Sequence, residues 1–164
     1  MKNAKIIFFL SIFAFTFCQT QPKQISIVME TKSEELPDWL LPYFIGGEEN
    51  VKNIERFRNK LIFISHASEE ELKYAHLMVN RNIVSSIGGF IRSIVTTNSD
   101  GNYFVYNDEI SAYEVLNDNR SRKIEEDYWR KVKMRDGRIM YDYYKIIALE
   151  QIVLDEKRAQ FLRK

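Results

Sequence analysis

Two histidines, His66 and His76, are the side chains best suited to metal or acid–base chemistry, and Glu69, Glu70 and Glu71 lie between them. Their spacing does not fit a zinc helix, where HExxH sets two histidines four residues apart on one face. An acidic first turn is what a helix dipole favours, so the glutamates read as a helix start rather than as ligands. Ser65-His66 lacks the G-x-S-x-G frame of a nucleophile elbow. Ser85, Ser86, Gly88 and Gly89 fall inside a helical pattern instead of following a strand, which makes a poor phosphate loop. Glu125, Glu126 and Asp127 invite comparison with the paired carboxylates of glycoside cleavage. Consecutive acids on an exposed strand read instead as solvated. The expectation is a non-enzymatic protein with no catalytic residue, no metal site and no cofactor.

Cys18 is the remaining reactive group, and its surroundings are specific. Lys2 and Lys5 precede an unbroken run of apolar and small residues over 6–17, and a polar stretch follows the cysteine. About twelve residues is too short to span ~30 Å of hydrocarbon and matches the core of a secretory signal. A lone thiol in an exported chain has no intramolecular disulfide partner. At this place, bacterial lipoproteins carry a diacylated cysteine as their new N-terminus, and two chains suffice for stable anchoring. Phe17 stands where lipoprotein signals take Gly, Ala or Ser. Cleavage by the ordinary signal peptidase, leaving a soluble protein, is therefore the alternative. The expected organisation is a signal peptide over 1–17, a polar tether over 18–35 with room for one short strand, and a single envelope domain over 36–164.

Removing Lys2 and Lys5 takes the basic count from 24 to 22 against 23 acids, a formal charge near −1. That balance excludes nucleic acid as the main partner, since phosphate binding is dominated by Lys and Arg. The basic stretch from Arg120 to Arg135 is diluted by neighbouring acids and reads as a solvated or headgroup-facing surface. Mature length is roughly that of one domain.

The elements follow from periodicity. Val51, Ile54 and Phe57 predict a short helix over 50–59, with Gly46-Gly47 as the turn before it. Residues 60–65 are a β-type run. Ser68 with Glu71 forms a capping-box pattern, and behind it Leu72, Ala75, Val79, Ile83, Ile87, Phe90, Ile91 and Ile94 recur at helical spacing. This predicts a long helix over 69–95, in which Gly88-Gly89 implies a close neighbour, a bend or a stop. A strand over 102–106 and a helix over 108–117, facing inward through Ile110, Tyr113 and Val115 or Leu116, come next. The last unit is a hairpin of 127–134 with 139–148 about Asp136-Gly137, read as a two-residue primed turn. That register opposes Met134 to Ile139 and Val132 to Tyr141, and sets Trp129 facing Tyr144. A helix over 154–163 closes the chain. The fold class expected is α+β, a mostly antiparallel sheet with one long helix packed on it and shorter helices besides. The odd-numbered face with Ile139, Tyr141 and Ile147 meets the long helix. Trp129 and Tyr144 fall on the other face, covered by the terminal helix or open to a partner, and are the candidate partner-binding pair.

Pro37 and Trp39 near the start of the domain, the strand running into a long helix past Ser65-His66-Ala67-Ser68, and the late aromatic hairpin resemble the LPP-twenty family of small bacterial envelope lipoproteins. The similarity runs from Leu36 to Leu149. The long helix keeps chiefly Ala75 where the family is alanine-rich, and the glycines usual in the family's preceding strand are missing from 61–65. The resemblance implies a non-enzymatic envelope module, some members belonging to flagellar outer-membrane assemblies. The expectation is thus a lipid-anchored structural or assembly component of the bacterial envelope, on the outer membrane or facing the periplasm. The alternative is a secreted module that binds or inhibits a glycan, peptide or foreign enzyme.

Overall fold

The computed structural model describes residues 27–98 and 108–162. The expected signal segment, the first half of the tether with Cys18, and the expected strand over 102–106 lie outside the described residues. The fold is α+β. Four strands, β1 (Ile27–Thr31), β2 (Lys60–Glu69), β3 (Ile124–Lys133) and β4 (Ile139–Glu150), form one sheet in the order β1-β3-β4-β2, antiparallel throughout. The helices are α1 (Leu40–Lys52), α2 (Leu72–Asn98), α3 (Asp108–Asn117) and α4 (Gln151–Leu162).

Strand β4 is paired on both sides and buried from Asp142 to Leu149. Burial on both pleats requires a cover on both faces of the sheet. On one face α2 lays down Ala75, Val79, Ile83, Ile87 and Ile91 against Phe63, Tyr143, Ile147 and Leu149. The stripe expected from helical spacing is this face, and the Phe90 ring meets Phe63 edge-on at 6.2 Å. Helix α4 joins the same layer through Val153 and Leu154. The opposite face is covered not by the terminal helix but by α1 and the 3₁₀ turn Glu55–Phe57. Trp39, Leu40, Val51 and Phe57 pack there on Ile62, Tyr128, Tyr144, Ile146 and Ala148.

Several elements differ from expectation, each for a local reason. Helix α1 begins at Leu40, with Pro42 early enough to need no amide partner, and runs across Gly46-Gly47 as a kink with Gly47 at φ +68°. The expected helix over 50–59 is its last part plus the 3₁₀ turn. Ser68 does not cap α2. It stays in β2, which is longer than the apolar run suggested, and its hydroxyl donates to Asp142 Oδ1 at 2.8 Å. Helix α2 runs through Gly88-Gly89 without stopping, and a Cβ on Gly89 would meet nothing within 4 Å, so no close neighbour explains that glycine. Helix α3 has the expected bounds but buries Ser111, Ala112 and Val115, leaving Ile110 and Tyr113 more than half exposed. Strand β1 is the one short strand for which the stretch over 18–35 left room. Its outward side chains carry no periodic signal, because only backbone pairing with β3 holds it.

The hairpin register is shifted by one residue. Gly137 N–H donates to Met134 O at 3.0 Å and Met134 N–H to Arg138 O at 2.8 Å, closing a three-residue loop of Arg135, Asp136 and Gly137. Gly137 supplies the positive φ, +88°, of the bulge that ends such a loop. Asp136 accepts from the Arg138 backbone N–H at 3.0 Å and from its Nε at 2.7 Å. Lys133 therefore opposes Ile139, Val132 opposes Met140, and Trp129 opposes Tyr143 instead of Tyr144.

Candidate functional site

A one-residue slip moves every side chain of a strand to the other face. Trp129 accordingly lies on the α2 face, half-buried and packed on that core, with its ring centroid 6.1 Å from that of Tyr141. Tyr144 lies on the α1 face, 4 % exposed. The structure does not bring the pair together, and each belongs to a separate cluster.

On the α1 face, adjacent strands carry His66, Ser68, Arg130, Asp142 and Tyr144 side by side, because His66 pairs with Tyr144 and both Ser68 and Arg130 pair with Asp142. Asp142 accepts from Ser68 and from Arg130 Nε at 2.9 Å, and His66 Nε2 stands 3.9 Å away. Burial pushes the Asp142 carboxyl up, but the nearby His66 and the hydrogen bonds from Ser68 and Arg130 outweigh it and hold the group at about 2. So acidic a carboxyl is a weak base. Ser68 donates to Asp142 directly, and among the described residues no hydrogen bond links it to His66. The arrangement is a fastened ion pair rather than a nucleophile with its base. His66 stacks on Tyr144 with centroids 4.3 Å apart, and Phe44 meets Tyr144 edge-on at 5.4 Å. Burial, with Asp142 nearby, pushes the Tyr144 phenol up to about 12 despite Arg130.

On the α2 face, Tyr143 donates its hydroxyl to Asp127, which also pairs with Lys32 from the segment after β1. Burial raises the Asp127 carboxyl, and the hydrogen bonds from Lys32 and Tyr143 more than reverse this, leaving it below its ordinary value. Lys145 donates to Asn80 of α2 at 2.7 Å and pairs with Glu125, while Glu126, on the other face, pairs with Arg56 at 3.1 Å. The three consecutive acids thus split between the two faces, each engaged with a cation. The histidines split likewise: His76 meets Tyr143 edge-on at 5.3 Å on the α2 face. Sequence patterns did not disclose these pairs, since Lys32, Arg56 and Asn80 come from elements remote in sequence.

The surface also carries an apolar patch. Tyr74, Leu77 and Met78 of α2 are exposed beside the equally exposed Tyr113 of α3. With Arg81, Val84, Asn80, Glu69 and Glu109 they line a groove of about 640 Å³. The signal for it was present as a second helical stripe, Tyr74-Leu77-Met78-Arg81, one position behind the core stripe. Among the described residues no helix is long and apolar enough to cross a membrane. No protein-family model, curated protein or solved structure matches this chain.

Proposed function

We propose that this chain is a non-enzymatic bacterial envelope lipoprotein, tethered through Cys18, that acts as a structural or assembly component by contacting other envelope proteins. The observation that carries the reading is the groove between α2 and α3. The polar clusters on both faces of the sheet neutralise themselves, whereas Tyr74, Leu77, Met78 and Tyr113 present large apolar side chains to solvent in one place. Such patches mark protein contacts more often than chemistry. The resemblance to the LPP-twenty lipoproteins favours the same reading, as does the place of Cys18 at the end of the apolar run. A second reading, a secreted binding module, is favoured by the exposed rings of Phe44 and His66, which pack over the buried Tyr144.

Leu77→Glu with Met78→Lys tests the first reading in native envelopes. Both residues are exposed, so the unfolding midpoint should hold while site-specific cross-links from Tyr113 to envelope proteins fall several-fold. Cross-links unchanged by the double substitution would remove the groove from the account.

A further inference from the structure

The chain joins the sheet at Ile27, and the register fixes what stands beside it. Ile27 opposes Lys133, which opposes Ile139, so the three form a row across β1, β3 and β4 next to the hairpin loop. Val28, Val132 and Met140 form the next row. Ile27, Val28, Met29 and Ile139 are all substantially exposed. Pairing through the backbone explains why β1 stays in the sheet, but not why its outward side chains are apolar.

The charges at this end are not consumed in the way of the two sheet clusters. Lys133 and Arg135 are exposed without an ion pair among the described residues, and Arg138 shares its guanidinium with Asp136. Glu30 opposes Lys131 within the row behind. Glu69, Glu70 and Glu71 lie at the β2 edge, with β4 and β3 between them and β1. The end is therefore asymmetric: apolar and basic along β1, β3 and the loop, acidic along the far edge.

The length of chain before Ile27 selects the occupant. If Cys18 carries a lipid, residues 19–26 reach at most about 28 Å when fully extended. They meet the fold at this end, whereas Glu150 and α4 begin at the opposite end of β4. An anchored domain consequently holds Ile27, Ile139 and the loop within that reach of the bilayer. We infer that the β1 start and the β3–β4 hairpin tip form a lipid-docking surface. Ile27, Met29 and Ile139 seat at the boundary of headgroups and acyl chains, and Lys133 and Arg135 lie against lipid phosphates. This inference rests on the lipoprotein reading, and it orients the α2–α3 groove relative to the membrane.

The sequence holds one cysteine, so acylation of Cys18 leaves an introduced thiol as the only one that labels. Full-length Ile139→Cys, made in cells that acylate lipoproteins, is labelled with an environment-sensitive fluorophore. It is then reconstituted at low density into vesicles of phosphatidylethanolamine and phosphatidylglycerol. Arg135→Cys repeats the measurement at the exposed loop, and Ile152→Cys, equally apolar and exposed on α4, is the control at the far end. Labels at 139 and 135 should shift to the blue and be quenched several-fold by brominated lipid, with the label at 152 unaffected. Lys133→Glu should weaken the quenching and high salt should do the same. Acylated protein whose label at 139 behaves like that at 152 overturns the docking surface alone. A blue shift that grows with protein density and ignores brominated lipid assigns the surface to a second copy, also overturning it. A second labelled thiol at Cys18, with loss of flotation, overturns the anchor reading and the docking surface together.

Discussion

Asp142 is the side chain on which the α1 face of the sheet turns. Its carboxyl sits at about 2, below the ordinary 3.8, because the nearby His66 and the hydrogen bonds from Ser68 and Arg130 outweigh the cost of burial. A folded value below the unfolded one contributes stability above about pH 4, and that contribution is lost as pH falls toward 2. A shift of this size corresponds to roughly 2 kcal/mol. Asp142→Asn should therefore lower stability at neutral pH by about that much, with the difference from the parent closing at pH 2. Urea unfolding at both pH values measures it. An equal deficit at both would mean the loss is steric and the ion pair idle. Gly137 offers a second test at this scale. At φ +88°, with nothing near its missing Cβ, it is there for backbone conformation alone. Gly137→Val should cost about 1–3 kcal/mol without disturbing any surface contact, and an unchanged unfolding midpoint would contradict the three-residue loop. The residue scale is also where sequence reading fell short. Asp136-Gly137 suits a two-residue loop as well as the three-residue one found. The two differ by a single register step, enough to carry Trp129 from the face of Tyr144 to the face of Tyr143.

Among the elements, α2 was the most legible and β1 the least, for opposite reasons. The core stripe of α2 repeats over several turns, so its burial dictates a period that the sequence must display. Strand β1 buries almost nothing, so its sequence is unconstrained by packing and shows no period. The start of α2 was misplaced because Ser68 fits a cap and also fits a partner for Asp142, and that partner lies a whole domain away in sequence. Likewise α3 was rotated, because Ile110 and Tyr113 are apolar by type but exposed, Tyr113 lining the surface groove. Ile87 tests the legible part. It is fully buried between α2 and the sheet, so Ile87→Ala should cost about 2–5 kcal/mol in denaturant unfolding. A change within about 0.5 kcal/mol, the range of ordinary surface substitutions, would mean that α2 does not pack through this stripe.

At the scale of the whole molecule, a sheet covered on both faces spends its aromatic and charged side chains on its own cohesion. Tyr128, Tyr143 and Tyr144 are buried, and the buried Asp142 and Lys145 are paired. The groove of α2 and α3 and the apolar, basic end at Ile27 and Ile139 are two surfaces left open to others. Both acquire a purpose if the chain is tethered by a lipid: one end toward the bilayer, the groove toward envelope partners. The apolar run before Cys18 stands out in the sequence because its residues are contiguous. Of the groove only the stripe of α2 stands in the sequence, since the groove itself needs two helices brought together.

The tether is the central claim, and the intact mass of the mature protein recovered from bacterial membranes tests it most directly. The mature chain should begin at Cys18 and carry the added mass of acyl groups and glycerol on that residue. An unmodified chain, or one beginning at another residue, would contradict it.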